Sequence, residues 1–278
     1  MDTETKDLIA SFQKQYQFRL QPYTVHAYTQ NITAFFTFTD APFHAVRPAD
    51  IRAWMHALQE KGKKAATIHQ KIASLTQFFD FCREEQRCRA NPARSVVLPK
   101  LGERLPDYLT TAELEQLREL VESRPRERAI IEVMYATGVR LSELITIQRT
   151  DVNPTERSIL IHGKRRKERL VLYSHACGER LRYYLNTRMD TSPFLFLNTK
   201  GTPLQSRALR LTFEGYSREL GFNVTPHTLR HTFAAHLAQK GMPLVYIQDL
   251  MGHDSIEVTR IYTKLYNEAR KNQYDYYL

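Results

Sequence analysis

The chain has 278 residues, enough for two domains of ordinary size. Hydrophobic residues make up 42% and charged residues 25%, which excludes a disordered chain, and no stretch reaches the roughly eighteen apolar residues of a membrane span. Lys plus Arg total 40 against 30 Asp plus Glu, so the formal net charge is +10 and a polyanionic partner such as nucleic acid is favoured.

The start, MDTETKDLIASF, is acidic and has no basic region followed by an apolar one, so it does not read as a secretory signal. The first hundred residues read as successive helices. Thr5 to Gln17 carries apolar residues at helical spacing. Thr24 is a candidate cap for a helix through Phe38, with Tyr28, Ile32, Phe35 and Phe36 on its buried side. Pro48 and Asp50 fall in the first turn of a third helix ending near Gly62, and Ala65 to Glu85 forms a fourth. The basic cluster Lys61, Lys63, Lys64 and Lys71 is either a solvated surface or a phosphate contact near a helix start. Asn91-Pro92 ends the helical run, and the segment between Pro99 and Pro106 is rich in charge. The expected organisation is therefore an N-terminal domain over 1–95, a link over 96–107 and a C-terminal domain over 108–278.

Thr110 and Glu113 form a capping-box signature at the next helix. A helix from Arg128 stops near Gly138, and Ser142 to Ile147 gives a short one. Strands follow at Ser158 to His162 and Glu168 to Tyr173, joined by the basic loop Gly163-Lys164-Arg165-Arg166-Lys167. Helices return over 176–186, 206–220, 228–239, 245–251 and 256–264. Cys82, Cys88 and Cys177 fit neither a zinc knuckle nor a CxxC pair, and an odd count gives no disulfide framework. A reducing cytoplasm is the expected location.

Four segments concentrate polar residues beside apolar runs. In Ala136-Thr137-Gly138-Val139-Arg140-Leu141-Ser142-Glu143-Leu144, Arg140 stands just before a helix, placed either for a surface ion pair or for a bidentate grip on phosphate. Glu143 reads as a capping or pairing residue rather than a base. Lys164 lies at the hairpin tip, either a solubilising turn or a groove contact. In Pro226-His227-Thr228-Leu229-Arg230-His231, the spacing puts His227 and Arg230 on one helical face, while His231 points elsewhere and packs or hydrogen-bonds locally. In Leu250-Met251-Gly252-His253-Asp254-Ser255, Gly252 stops a helix, His253 occupies the turn and Ser255 caps the next helix, with Tyr262 two turns into it. A set rich in Arg, Lys and His without a carboxylate cluster suits a phosphate and repels a metal cation, so no metal and no cofactor are expected.

Together these segments resemble the tyrosine recombinase family, also called the phage-integrase family, and within it the short Xer-like and transposon-type integrases. The family pattern ATGxRxSEL places its first arginine on Arg140. The hairpin pattern G-K-G-x-K-x-R places its lysine on Lys164. HxLRHTFA places His227 and Arg230, LGHxS places His253, and the nucleophile Tyr262 follows nine residues later. The match spans Leu109 to Lys264. Arg165 replaces the usual second glycine of the hairpin, Met251 a common leucine, and Asp254 a common serine or lysine.

The resemblance implies a mainly α fold: an all-helical SAM-like core-binding domain, then a mostly helical catalytic domain with a small antiparallel β-sheet. It implies attack of Tyr262 on a DNA phosphate, giving a 3′-phosphotyrosine and a free 5′-hydroxyl. Arg140 and Arg230 would offset charge on the phosphate, and His253 would add a hydrogen bond. His227 would assist proton transfer, and Lys164 would protonate the departing oxygen. Its partner would be double-stranded DNA with paired inverted half-sites, bound by a homodimer and joined in a tetrameric synapse, with no membrane contact. A second recombinase or accessory protein stays open. By its aromatic residues, the tail from Tyr266 through Leu278, with Tyr274, Tyr276 and Tyr277, is either a dock on a neighbouring protomer or a frayed end. A type IB topoisomerase-like relaxase and a non-catalytic DNA-binding regulator are the alternatives. The helical N-terminal domain and the intact six-residue set weigh against them.

Overall fold

The structure, a computed structural model, describes residues 1–100, 106–163, 168–252 and 260–277. The chain forms two compact units, Met1–Gly102 and Glu103–Leu278.

Among its described residues the first unit is built on four α-helices, with short 3₁₀ turns at Phe43–Ala45 and Pro92–Ser95. In α1 (Thr3–Tyr16) the Asp2 carboxylate accepts the Thr5 amide at 2.8 Å, satisfying one of the free donors of the first turn. α2 (Pro22–Thr39) begins at Pro22, whose missing N–H is no loss there. Thr24, expected as the cap, therefore lies inside the helix. α3 (Pro48–Glu60) starts with Pro48, and Asp50 accepts the Arg47 amide at 2.8 Å. α4 is Ala65–Glu84. Their apolar faces meet in an aromatic core around Phe12, Phe35, Phe36, Trp54, Phe78 and Phe81. Phe12, Phe36 and Trp54 make edge-on contacts with their neighbours. Val96 is buried and Leu98 packs against the same core, so the chain stays with this unit beyond residue 95.

The second unit opens with α5 (Thr111–Leu120). The Thr110–Glu113 capping box is present: the Glu113 carboxylate accepts the Thr110 amide at 2.7 Å, and the Thr110 hydroxyl accepts the Glu113 amide at 3.2 Å. α6 (Pro125–Thr137) begins three residues before Arg128 because Pro125 supplies its first turn, and it ends at Gly138 in the left-handed conformation, φ 61°. The single turn α7 (Leu141–Leu144) follows. The sheet is antiparallel in the order β1 (Val152–Asn153), β2 (Ser158–His162), β3 (Glu168–Leu172), with Ile159 opposite Val171 and Ile161 opposite Arg169. The two-residue β1 is too short to leave a periodic signal and was not expected from sequence.

The remaining helices are α8 (His175–Asn186), α9 (Ser206–Leu220), α10 (Pro226–Gln239), α11 (Leu244–Met251) and α12 (Thr263–Tyr277). The expected helix over 256–264 is corrected in its described part. Arg260–Tyr262 is a 3₁₀ turn, and the helix proper runs from Thr263 to Tyr277. Its apolar residues explain the shift: Leu265 and Ala269, four apart, are buried, and Leu265 joins the cluster of Phe233, Ala234 and Ala238 on α10. Tyr266 packs partly buried on that cluster, whereas Tyr274 is exposed. Among the described residues no helix is long and apolar enough to cross a membrane.

Candidate active site

The site is built around the carboxylate of Glu143, only 6% exposed. Gly138 breaks α6, so Arg140 leaves in extended conformation and α7 turns back at once. That turn lets Glu143 accept the Arg140 amide at 2.8 Å and the Arg140 guanidinium at 2.9 Å. From β3, Arg169 donates to both carboxylate oxygens, Nη1 to Oε1 at 2.9 Å and Nη2 to Oε2 at 2.8 Å. Burial alone would push the Glu143 carboxyl up. The Arg169 and Arg140 hydrogen bonds and the Arg169 charge outweigh it and hold the pKa at about 2. Glu143 thus pairs, as its sequence position suggested, and stays ionised.

Arg230 is carried by α10, whose N-terminus is fixed by Thr225 accepting the Thr228 amide at 2.9 Å. The side chain is 5% exposed, and burial followed by the charge of Arg140 lowers its pKa to about 10, which leaves it charged at neutral pH. It donates through Nη1 to the Gly138 carbonyl and through Nη2 to the Met251 carbonyl at 2.7 Å. Arg140 Nη2 reaches the next carbonyl, Gly252, at 3.1 Å, and Arg169 Nε reaches the preceding one, Leu250, at 3.2 Å. Three consecutive carbonyls at the C-terminal end of α11 therefore each receive a guanidinium. Gly252 ends α11 in the left-handed region, φ 62°, and a Cβ there would meet the Arg169 side chain at 3.1 Å.

His227, in the first turn of α10, is exposed. Partial desolvation of its ring, then the charges of Arg230, Arg210 and Arg140, lower its pKa from the ordinary imidazole value. Tyr262 closes the 3₁₀ turn before α12 and is fully buried, packed with Phe233, Ile247 and Met251. Its hydroxyl is 2.6 Å from His231 Nδ1. Burial raises the phenol pKa well above its ordinary value, against a smaller lowering by Arg230. His231 is lowered to about 4, by burial first, then by the charges of His227 and Arg230. It is therefore neutral, and the short contact is a hydrogen bond between the phenol hydroxyl and Nδ1 of an uncharged imidazole.

The structure thus brings Arg140 and Arg230 to one place, with His227 in their electrostatic field. Lys164 and His253 lie outside the described residues. Sequence reasoning missed Arg169. The available signal was strand alternation: Arg169 shares a β3 face with buried Val171, and a charge facing inward implies a buried carboxylate nearby. It also gave His231 a local role, whereas His231 meets Tyr262, 31 residues away in sequence. No spacing rule links that pair. Three guanidiniums against one carboxylate leave an excess of positive charge. Carbonyl oxygens are weaker acceptors for guanidinium N–H groups than phosphate oxygens, so the arrangement can exchange a backbone partner for a phosphodiester. Among the described residues no group of three or more His, Cys, Asp or Glu could hold a metal ion.

Comparison with known proteins agrees with this chemistry. Residues 107–269 match the phage integrase family, and residues 9–86 match the phage integrase N-terminal SAM-like domain. The chain is 34% identical over 270 residues to tyrosine recombinase XerC of Bacillus subtilis, covering 91% of this chain and 89% of that protein. It is 30% identical over 271 residues to tyrosine recombinase XerD of Oceanobacillus iheyensis, covering 91% of each. In fold it is similar to the Tn1549 transposon integrase solved in complex with transposon right end DNA, with TM-score 0.78, 20% identity, and coverage of 96% of this chain and 98% of that one. The joint pattern of segments, the two-unit architecture and these full-length likenesses place the chain in the phage integrase family, that of the tyrosine recombinases.

Proposed function

We propose that this site-specific tyrosine recombinase uses Tyr262 as its nucleophile, with Arg140, Arg230, His227, Lys164 and His253 around the scissile phosphate. The carrying observation is the convergence of Arg140 and Arg230, from separate elements, on adjacent carbonyls at the end of α11. Two guanidinium forks aimed at one point suit the nonbridging oxygens of a phosphodiester, where charge builds in the transition state. Glu143 and Arg169 support that reading by fixing Arg140 from behind.

In the reaction, the Tyr262 oxygen forms a bond to phosphorus, and the bond from phosphorus to the 5′-oxygen breaks. The phenol proton leaves with assistance from His227, and Lys164 supplies a proton to the departing 5′-oxygen. A 5′-hydroxyl from the partner strand then attacks the 3′-phosphotyrosine and restores both the phosphodiester and the phenol. The ester energy is kept throughout, so the exchange is isoenergetic. The partner is double-stranded DNA with paired inverted half-sites, each site bound by two copies and two sites joined through four, in the cytoplasm.

The test is Tyr262→Phe on a nicked suicide substrate. The variant should bind DNA as the parent does and form no covalent adduct, because only the hydroxyl is lost. A denaturation-resistant protein–DNA adduct from Tyr262→Phe overturns the assignment.

A further inference from the structure

The hydroxyl proposed as the nucleophile has a hydrogen-bonding partner within the chain. The Tyr262 hydroxyl lies 2.6 Å from His231 Nδ1, and no other described group hydrogen-bonds it. His231 follows Arg230 directly on α10, so it faces a different side of the helix from the phosphate-gripping fork. The Tyr262 ring is fully buried and the His231 ring partly so, tilted 48° to each other with centroids 6.3 Å apart. Arg140 donates to Glu143 and to the Gly252 carbonyl, Arg230 donates to the carbonyls of Gly138 and Met251, and neither bonds the phenol.

Taking Tyr262 as the nucleophile, we propose that His231 is a positioning residue that holds the Tyr262 hydroxyl off the phosphate site between turnovers, so that breaking this bond is a step on the way to cleavage. The alternative role for a histidine at this distance is general base. The chemistry opposes it. An imidazole with a pKa near 4 is a poor acceptor for a proton from a phenol whose own pKa is raised. Burial favours the neutral form of Tyr262, and the contact with His231 fixes where its oxygen rests. They hold the nucleophile unreactive, and a productive arrangement needs that oxygen turned towards phosphorus beside the arginines. His231 therefore acts on the reaction by setting where the hydroxyl rests.

The experiment compares wild type, His231→Phe and His231→Asn in single-turnover cleavage of a suicide substrate, with DNA affinity measured in parallel. His231→Phe keeps an aromatic ring and removes the hydrogen-bonding nitrogen, so it should cleave about 2- to 10-fold faster, the worth of one net hydrogen bond, at unchanged affinity. His231→Asn offers a carbonyl oxygen near the position of Nδ1 and should stay within about twofold of wild type, a rescue that mere support of the fold would not show. If His231→Phe fails to fold, His231→Ala, which keeps a good helix former at that position, carries the same expectation. A loss of about 100-fold or more in the Phe and Ala variants makes His231 a base and overturns the proposal, as does an unchanged rate. Failure of the nucleophile assignment itself would show separately, as a covalent adduct formed by Tyr262→Phe.

Discussion

Replacing Glu143 by Gln removes the one carboxylate that Arg140 and Arg169 share, and its cost follows from the structure by two routes. Gln keeps one carbonyl oxygen but turns the other acceptor into an NH₂ facing N–H donors. Glu143 Oε2 now accepts both the Arg140 amide and Arg169 Nη2, so those two bonds are lost. Breaking a buried, hydrogen-bonded ion pair by removing one partner costs about 3–5 kcal/mol. Independently, the shift of the Glu143 pKa from 4.5 to about 2 is worth about 3 kcal/mol at neutral pH. The folded pKa is depressed, so this stabilisation is complete well above pH 4.5 and is lost as pH falls towards 2. At pH 3 about 1.5 kcal/mol should remain. Urea unfolding followed by far-UV circular dichroism, at pH 7 and pH 3, measures the difference. The single tryptophan, Trp54, belongs to the first unit, so the fluorescence transition should stay where it is in wild type while the dichroism transition moves. A difference below about 1 kcal/mol at pH 7, or one equally large at pH 3, would refute the view that Glu143 is a buried, ionised partner of both arginines.

Arg169→Lys keeps the charge but cannot make two bonds to Glu143 and a third to Leu250. It should slow single-turnover cleavage about 10- to 100-fold with DNA affinity retained, and an unchanged rate would show that the fork does not position Arg140. Gly138→Ala places a methyl group against the Phe233 ring at φ 61°, costing at least about 2 kcal/mol, a fall of about 4 to 8 °C in Tm; a neutral result would mean that α6 and α10 can shift apart there. Lys164→Ala should cleave normal DNA about 10²- to 10⁴-fold more slowly and recover on a 5′-bridging phosphorothiolate, whose sulfur leaves without a proton. Failure of sulfur to rescue it removes the general-acid role.

The sequence by itself determined the class of chemistry and most of the elements. Helical periodicity outlined α1 to α4, and turn chemistry marked α5 at Thr110–Glu113 and the end of α6 at Gly138, because caps, prolines and left-handed glycines act within a few residues. Arg140, Glu143, His227 and Arg230 were legible as polar residues at fixed intervals in apolar context. Boundaries shifted where a proline opened a helix earlier, at Pro22 and Pro125. Only the tertiary structure decided what meets what. Strand alternation in β3 pairs Arg169 with Val171 on the inner face and leaves Leu170 and Leu172 each 59% exposed, although hydrophobicity alone would turn the leucines inward. The inward arginine is tolerated because Glu143 waits there, 26 positions earlier in the chain. Likewise Tyr262 precedes α12 instead of sitting within a helix, because Leu265, in the first turn of α12, packs into the cluster formed by α10. His231 meets Tyr262 for the same reason: docking α12 onto α10 closes a distance in space that no interval in sequence encodes.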